Sequence, residues 1–292
     1  MIDAFSEEQA LEIKRMIHKE FSKINHQKHS IKSQDNMNLS LKDLKIATFG
    51  SCLSRFTANN FKMLFGGEIV SSIYHNRSDV FVGRFIKKNI AELNRSEIVS
   101  LIKNKGTDVI VENDGFKIIE NQFKESQGKH RLTKGQAFGE LLENKNVDLF
   151  IFDNYMDIGA RLVTISGTSQ GSEWFLRPDD LVNPTLCKPG ELLSPVEGAL
   201  SMVKIIKTVM KNIPDAKIVF CNFPYNTYVN STEREARTKE YEVIMNEFSG
   251  GDFMTIPSLT IPEKLQTSEK QHFKPQVYSA YAGIIWSYIN QL

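Results

Sequence analysis

KIATFGSCLSR, Lys45 to Arg55, is the stretch from which the rest of the chain can be ordered. Ile46 to Phe49 is a short apolar run that predicts a buried strand. Gly50 then turns the backbone sharply, because a residue without Cβ accepts positive φ at little cost. The turn presents Ser51 and Cys52 at the tip of the strand. In parallel sheets that tip opens onto the crevice where ligands bind. The residues that follow start a helix, so their amides point at whatever binds there. A thiol at a helix N-terminus is also the more readily ionised. Cys52 is therefore either a reactive thiol or a compact buried hydrophobe. Ser51 is a second nucleophile beside it.

Working outward, apolar and β-branched runs alternate with amphipathic stretches. Strands are expected at Glu68 to Tyr74, Asp108 to Glu112, Asp148 to Asp153, Ala216 to Phe220 and Phe253 to Ile256. Helices are expected over 57–65, 80–104, 134–144, 195–212, 232–248 and 275–289, the fourth introduced by Ser194-Pro195. Phe116 to Phe123 fits either state. The alternation argues for a parallel α/β sheet over 42–292. Ahead of it, residues 6–25 carry Ala10, Ile13, Ile17, Phe21 and Ile24 at helical spacing after a Ser6–Gln9 capping signature. That helix could serve as a protein-partner or self-association surface, and a polar linker completes 1–41. Residues 159–194 are rich in Gly, Ser and Pro and read as a loop-rich insertion, the kind of segment that forms a lid or binding loop.

Composition narrows the function classes. The 36 basic and 35 acidic residues nearly cancel, so no field spans the surface to hold nucleic acid. No run reaches the roughly 18 apolar residues of a spanning helix. The charged start MIDAFSEEQALEIKRM has no signal-peptide core. Three widely spaced cysteines make neither a disulfide framework nor a zinc site, so no metal is expected and a reducing, cytoplasmic setting fits.

Three further clusters carry chemistry. Glu269-Lys-Gln-His272 sets a carboxylate three residues before an imidazole, where it can fix the tautomer and support the imidazolium. A turn nucleophile early and this pair late suit acyl transfer, with His272 as general base. Asn154, after the strand ending at Asp153, is either an oxyanion donor or an Asx-turn residue. Tyr74-His-Asn76-Arg77-Ser78 follows another strand and offers donors for a substrate phosphate or carboxylate, or forms a polar loop. Gly50, Arg55, Asn76, Arg77 and Asp157 are candidate substrate contacts.

Gly50-Ser-Cys-Leu-Ser54 resembles the Gly-Asp-Ser-Leu-Ser block of the SGNH/GDSL hydrolase superfamily. Glu269-x-x-His272 is similar to its final Asp-x-x-His block, and Asp153-Asn154 to its Asn block. The match is nearest to the Gly-Ser-Cys subgroup associated with bacterial capsule and surface polysaccharide biosynthesis. Here Cys52 stands where the superfamily has its nucleophilic Ser, Ser51 where it has Asp, and Glu269 replaces Asp. The second-block Gly has no clear counterpart. The resemblance implies a flavodoxin-like three-layer α/β/α fold with a central parallel sheet. It also implies an acyltransferase (O-acetyltransferase-like) acting on a surface-polysaccharide sugar, with acetyl-CoA as candidate donor and no tightly bound cofactor. A carbohydrate esterase or a non-catalytic polysaccharide-biosynthesis protein is the alternative. Trp174 and Arg177, in the 159–194 segment, are then candidate sugar and anion contacts.

Overall fold

The computed structural model describes residues 43–88, 122, 134–165, 174–175, 187–227, 232–249, 252–269 and 271–290. The helix expected at 6–25, the strand expected at 108–112 and Arg177 lie outside the described residues.

Strand β1 (Lys45–Gly50) is buried on both faces beyond its first residue, as its unbroken apolar run requires. Helix α1 (Cys52–Phe65) begins five residues earlier than its apolar pattern suggests. Ser51 caps it, its Oγ accepting from the Leu53 amide at 3.2 Å. Gly66, at φ +99°, ends it. Strand β2 (Glu68–Tyr74) pairs parallel to β1 with one extra residue between the Ile46–Ile69 and Ala47–Ser71 pairs. A four-residue helix α2 (Ser78–Phe81) runs into a single π turn over Val82–Ile86. Of the helix expected over 80–104, the described part is helical to Ile86, and the chain then leaves the helix, with Lys88 at φ +55°.

Lys134–Gly135 form a short antiparallel strand β3 rather than the start of a helix. Helix α3 (Phe138–Asn144) then leads to β4 (Leu149–Asp153), in which every residue is buried. A one-turn helix α4 (Tyr155–Gly159) follows. Residues expected to be loop-rich carry a second sheet: β5 (Arg161–Ile165), β6 (Trp174–Phe175) and β7 (Cys187–Leu192), antiparallel in the order β6-β5-β7. Pro189 is tolerated because β7 is an edge strand. The rest follows the sequence pattern: α5 (Pro195–Asn212), β8 (Lys217–Cys221), α6 (Thr232–Ser249), β9 (Met254–Ile256) and α7 (Pro275–Ile289).

The main sheet has the order β3-β2-β1-β4-β8-β9, parallel except for β3. Its five parallel strands reproduce the flavodoxin order, in which direction reverses between β1 and β4. Right-handed crossovers put α1 on one face and α5 and α6 on the other. Accordingly α7 packs on α1, and α5 packs on α6, α2 and α3. Aromatics fill the layers between, with Phe150 stacked on Phe152 at 4.5 Å and Phe49 edge-on to Phe81 at 4.9 Å. Each such buried side chain contributes about 1.5–3 kcal/mol. No described helix is long and apolar enough to cross a membrane.

Asp157 binds the far face together. It is 2 % exposed and accepts from the Ser78 amide (2.8 Å), Ser78 Oγ (2.6 Å) and Tyr241 Oη (2.7 Å). Gly198 passes close by: an added Cβ would lie 2.8 Å from the Tyr241 ring. Burial pushes the Asp157 carboxyl up to about 7, against the pull of the Ser78 and Tyr241 hydrogen bonds. The folded protein therefore holds a proton that the unfolded chain releases near pH 4. With more protons bound in the folded state, stability falls as pH rises from about 4 through about 7. The full penalty is on the order of 4 kcal/mol. Asp157→Asn, neutral throughout, should lack this slope. Melting curves across that range should show the variant gaining on the wild type as pH rises. A constant difference between the two would refute the assignment.

Candidate active site

Two strand ends meet at the switch point, and one carboxylate joins them. Asp153, at the end of β4, is 1 % exposed. Its Oδ2 accepts from the Ser51 amide at 2.7 Å and the Ser54 amide at 3.0 Å. Its Oδ1 accepts from Ser51 Oγ at 2.9 Å and the Tyr155 amide at 3.0 Å. The β1–α1 turn closes so tightly over it that a Cβ on Gly50, at φ +138°, would lie 2.5 Å from Asp153 Oδ2. Only glycine fits there. Ser51 is 2 % exposed, with its hydroxyl held between Asp153 and the Leu53 amide. The Ser51 amide, expected from the sequence to face an oxyanion, points into Asp153 instead.

Cys52 follows on the first turn of α1. Its Sγ lies 2.9 Å from His272 Nε2, across 220 positions of sequence. His272 Nδ1 is hydrogen-bonded to Glu269 Oε2. The pair is held by a short loop closed on itself. The His272 amide donates to the Glu269 carbonyl at 2.8 Å, and Thr267 Oγ1 donates to the carbonyls of both residues. Gln266 bridges Phe273, and the Lys274 amide donates to the Leu265 carbonyl. Helix α7, started by Pro275, docks this loop against α1: Tyr278 Oη accepts from the Phe273 amide at 3.0 Å and its ring meets Phe56 edge-on at 5.1 Å. Ser279 Oγ donates to Asn60 at 3.0 Å, and Trp286 stacks on Phe65. The Phe56 ring stands 6.0 Å from the imidazole.

Two groups complete the cluster. Tyr74, at the end of β2, sets its Oη 2.6 Å from Cys52 Sγ. Sequence reasoning noted the Tyr74 segment but gave the tyrosine no role. Its reach depends on the extra residue in β2, which pairs Tyr74 with Gly50. Arg55 lies one helical turn beyond Cys52 and is 8 % exposed. Burial lowers its pKa, which the neighbouring Tyr74 partly offsets. Cys52 is 8 % exposed while the His272 side chain is 28 % exposed, so solvent meets the pair chiefly at the imidazole.

The other expected site residues lie elsewhere. Asn154 is wholly buried as a bracket between strand ends: its Nδ2 donates to Asn222 Oδ1 at 3.0 Å and its Oδ1 accepts from the Phe223 amide at 2.8 Å. Asn76 is buried, with Nδ2 donating to the Tyr74 carbonyl. The Arg77 fork is closed on Asp79, at 2.8 Å from Nε and 2.7 Å from Nη2, with Nη1 on the Ala160 carbonyl. Asp157 belongs to the interior network described above. Trp174 is placed by its backbone in β6. The second cysteine with a described side chain, Cys221, is fully buried, and burial raises its thiol pKa well above the usual value. Among the described residues no cluster of His, Cys, Asp and Glu of the size needed for a metal ion occurs.

No family model and no curated protein matches the chain. Solved structures do. A carbohydrate esterase family 2 enzyme with a carbohydrate-binding domain from Corynascus thermopiles (Myceliophthora fergusii) is 8 % identical, with 89 % of this chain and 68 % of that one covered and a TM-score of 0.46. A family two carbohydrate esterase from Clostridium thermocellum, in complex with cellohexaose, is 8 % identical over 88 % and 66 % of the two chains, with a TM-score of 0.45. The acetyl xylan esterase AlAXEase is 10 % identical over 84 % and 100 %, with a TM-score of 0.43.

The hydrogen bonds of Ser51 and Cys52 make different demands on variants. Ser51→Ala removes a helix cap and a buried partner of Asp153, and should cost about 1–3 kcal/mol in denaturant unfolding. Iodoacetamide should still label Cys52 in that variant, read by peptide mass. A neutral Ser51→Ala would mean that the hydroxyl does not hold the turn.

Proposed function

We propose that this chain is a cysteine-dependent acyl-transfer enzyme, working through a thioester on Cys52 with His272 as general base and Glu269 as the group that orients it. The observation that carries this reading is the 2.9 Å approach of Cys52 Sγ to His272 Nε2, with Nδ1 engaged by Glu269. Nucleophile, base and orienting carboxylate in that order form the arrangement that activates a weak nucleophile. Ser51 is the poorer candidate, since its hydroxyl donates to Asp153 and has no imidazole partner.

In this reading His272 Nε2 takes the thiol proton as Sγ attacks the acyl carbon. The carbon–sulfur bond forms, and the bond to the leaving group breaks as His272 returns the proton to it. A hydroxyl then gives its proton to His272 Nε2 and attacks the thioester. The new ester forms as the carbon–sulfur bond breaks, and the proton returns to Cys52. Tyr74 Oη, 2.6 Å from Sγ, donates to the sulfur while it carries charge. As that charge moves to the carbonyl oxygen, the phenol follows it and supplies the oxyanion donor that Asn154 does not.

The similarity of Gly50-Ser-Cys and Glu269-x-x-His272 to the SGNH superfamily's blocks supports a sugar hydroxyl as acceptor and an acetyl thioester such as acetyl-CoA as donor. A role in surface or capsular polysaccharide is the finer form of the same proposal. Water in place of the sugar makes the enzyme a carbohydrate esterase.

Incubation of the pure protein with acetyl-CoA, with and without acceptor glycans, tests this. Intact mass should show one acetyl group on Cys52, discharged on addition of acceptor. Discharge to water alone identifies a hydrolase. Cys52→Ala and His272→Ala should each lower turnover by about 10³-fold or more. Tyr74→Phe should lower it by about 10²-fold, as loss of one oxyanion donor does. Full activity in Cys52→Ala would eliminate the mechanism.

A further inference from the structure

Arg55 is a buried cation whose Nε and Nη1 have no hydrogen-bond partner among the described residues. At 8 % exposure both atoms are shut away from solvent, with no hydrogen bond to any described residue. No carboxylate among the described residues pairs with it. A guanidinium brings five donors in a fixed fork, and burying such a charge without a counterion is strongly unfavourable unless something compensates it. Arg77 in the same structure shows the ordinary solution, closed on Asp79 with both arms.

The position of Arg55 gives its excess charge a meaning. It follows Cys52 by three residues on α1, so the two side chains share one face of the helix. Tyr74, whose hydroxyl touches Cys52 Sγ, also lies close enough to act on the Arg55 guanidinium. The usual anion seat of such a fold, the amides at the start of α1, is already filled by Asp153. The Leu53 amide is taken as well, by Ser51 Oγ.

We propose that Arg55 is the anion receptor of the Cys52 site, and that its substrate carries a carboxylate or phosphate close to the reacting carbon. Nε and Nη1 lie on different edges of the fork, so either one takes one oxygen of that group while Nη2 takes the other, the two-point geometry in which guanidinium recognition is strongest. The proposal rests on Cys52 being the reacting group. It extends that reading by naming the charge of the substrate.

The test uses two reagents of nearly equal shape and different charge. In both, the Cys52 thiolate attacks the methylene carbon, the carbon–sulfur bond forms and iodide leaves. Iodoacetate carries a carboxylate and iodoacetamide does not. Labelling of Cys52 is followed by peptide mass in the full-length protein, and each rate is divided by that of free cysteine. The wild type should favour iodoacetate over iodoacetamide by about tenfold or more, the value of one charge-assisted contact. Arg55→Gln should lose that preference, read as the ratio of the two normalised rates, and Arg55→Lys should retain part of it. Equal slowing of both reagents in Arg55→Gln would show that Arg55 serves only the thiolate, which overturns the proposal. An unchanged ratio overturns it as well.

A second measurement needs no variant. Inorganic phosphate and acetate, each at matched ionic strength, should slow iodoacetamide labelling of the wild type to saturation. The stronger protector identifies the preferred group. Absence of both the iodoacetate preference and the protection overturns the proposal. If iodoacetamide labels Cys52 briskly in that case, the nucleophile assignment survives and only the anion site falls. If neither reagent labels Cys52, the acyl-enzyme reading falls first, and the anion site with it.

Discussion

Asp153 is the constraint on which the rest of the molecule depends. One buried carboxylate accepts four hydrogen bonds, three of them from the turn that opens α1. It fixes where β1 stops, requires glycine at position 50 and sets the first turn of α1 in place. Cys52 is held where it is because Ser51 before it and Ser54 after it are bonded to this group. The carboxylate also answers the positive end of the helix dipole from within the protein. That has a chemical result: the Ser51 and Ser54 amides at the start of the helix are taken up within the protein.

The second half of the site is assembled by packing rather than by hydrogen bonds alone. The α1–α7 contact is made of large apolar faces, with Phe56 on Tyr278 and Phe65 on Trp286. The loop before α7 is short and closed on itself, so docking the helix fixes the imidazole. Sheet order explains why this is geometrically cheap. A chain that leaves β1 in one direction and returns past β4 in the other brings its first and last helices onto the same face. The carbohydrate and acyl-donor assignments rest on sequence resemblance, and the reacting atoms on this packing.

Much of this was legible in the residues. The β1 run, the glycine turn, the β4 strand and the start of α5 at Ser194-Pro195 are local signals, and each element forms where its own side chains dictate. Glu269 and His272 are legible because a three-residue spacing suffices to pair them. What could not be read depends on partners far away in sequence. Ser51 and Cys52 are equivalent by position, and only Asp153 separates a cap from a thiol free to meet His272. Tyr74 reaches Cys52 because β2 carries one more residue than β1 between Ile46 and Ala47, and a one-residue slip turns every side chain to the other face. Arg77 and Arg55 look alike in sequence, yet Asp79 closes the first and no described carboxylate closes the second. The second sheet escaped notice because its strands are short and separated by Gly, Ser and Pro, a composition shared with loops.

The distance in sequence between thiol and imidazole has a consequence for how the protein is made. A ribosome delivers Cys52 about 220 residues before His272. Until the later segment has emerged and docked, the sulfur has no base beside it and stays a poor nucleophile. Any reactivity that depends on this pair is thereby tied to completion of the fold, and in a nascent or truncated chain the thiol lacks its imidazole.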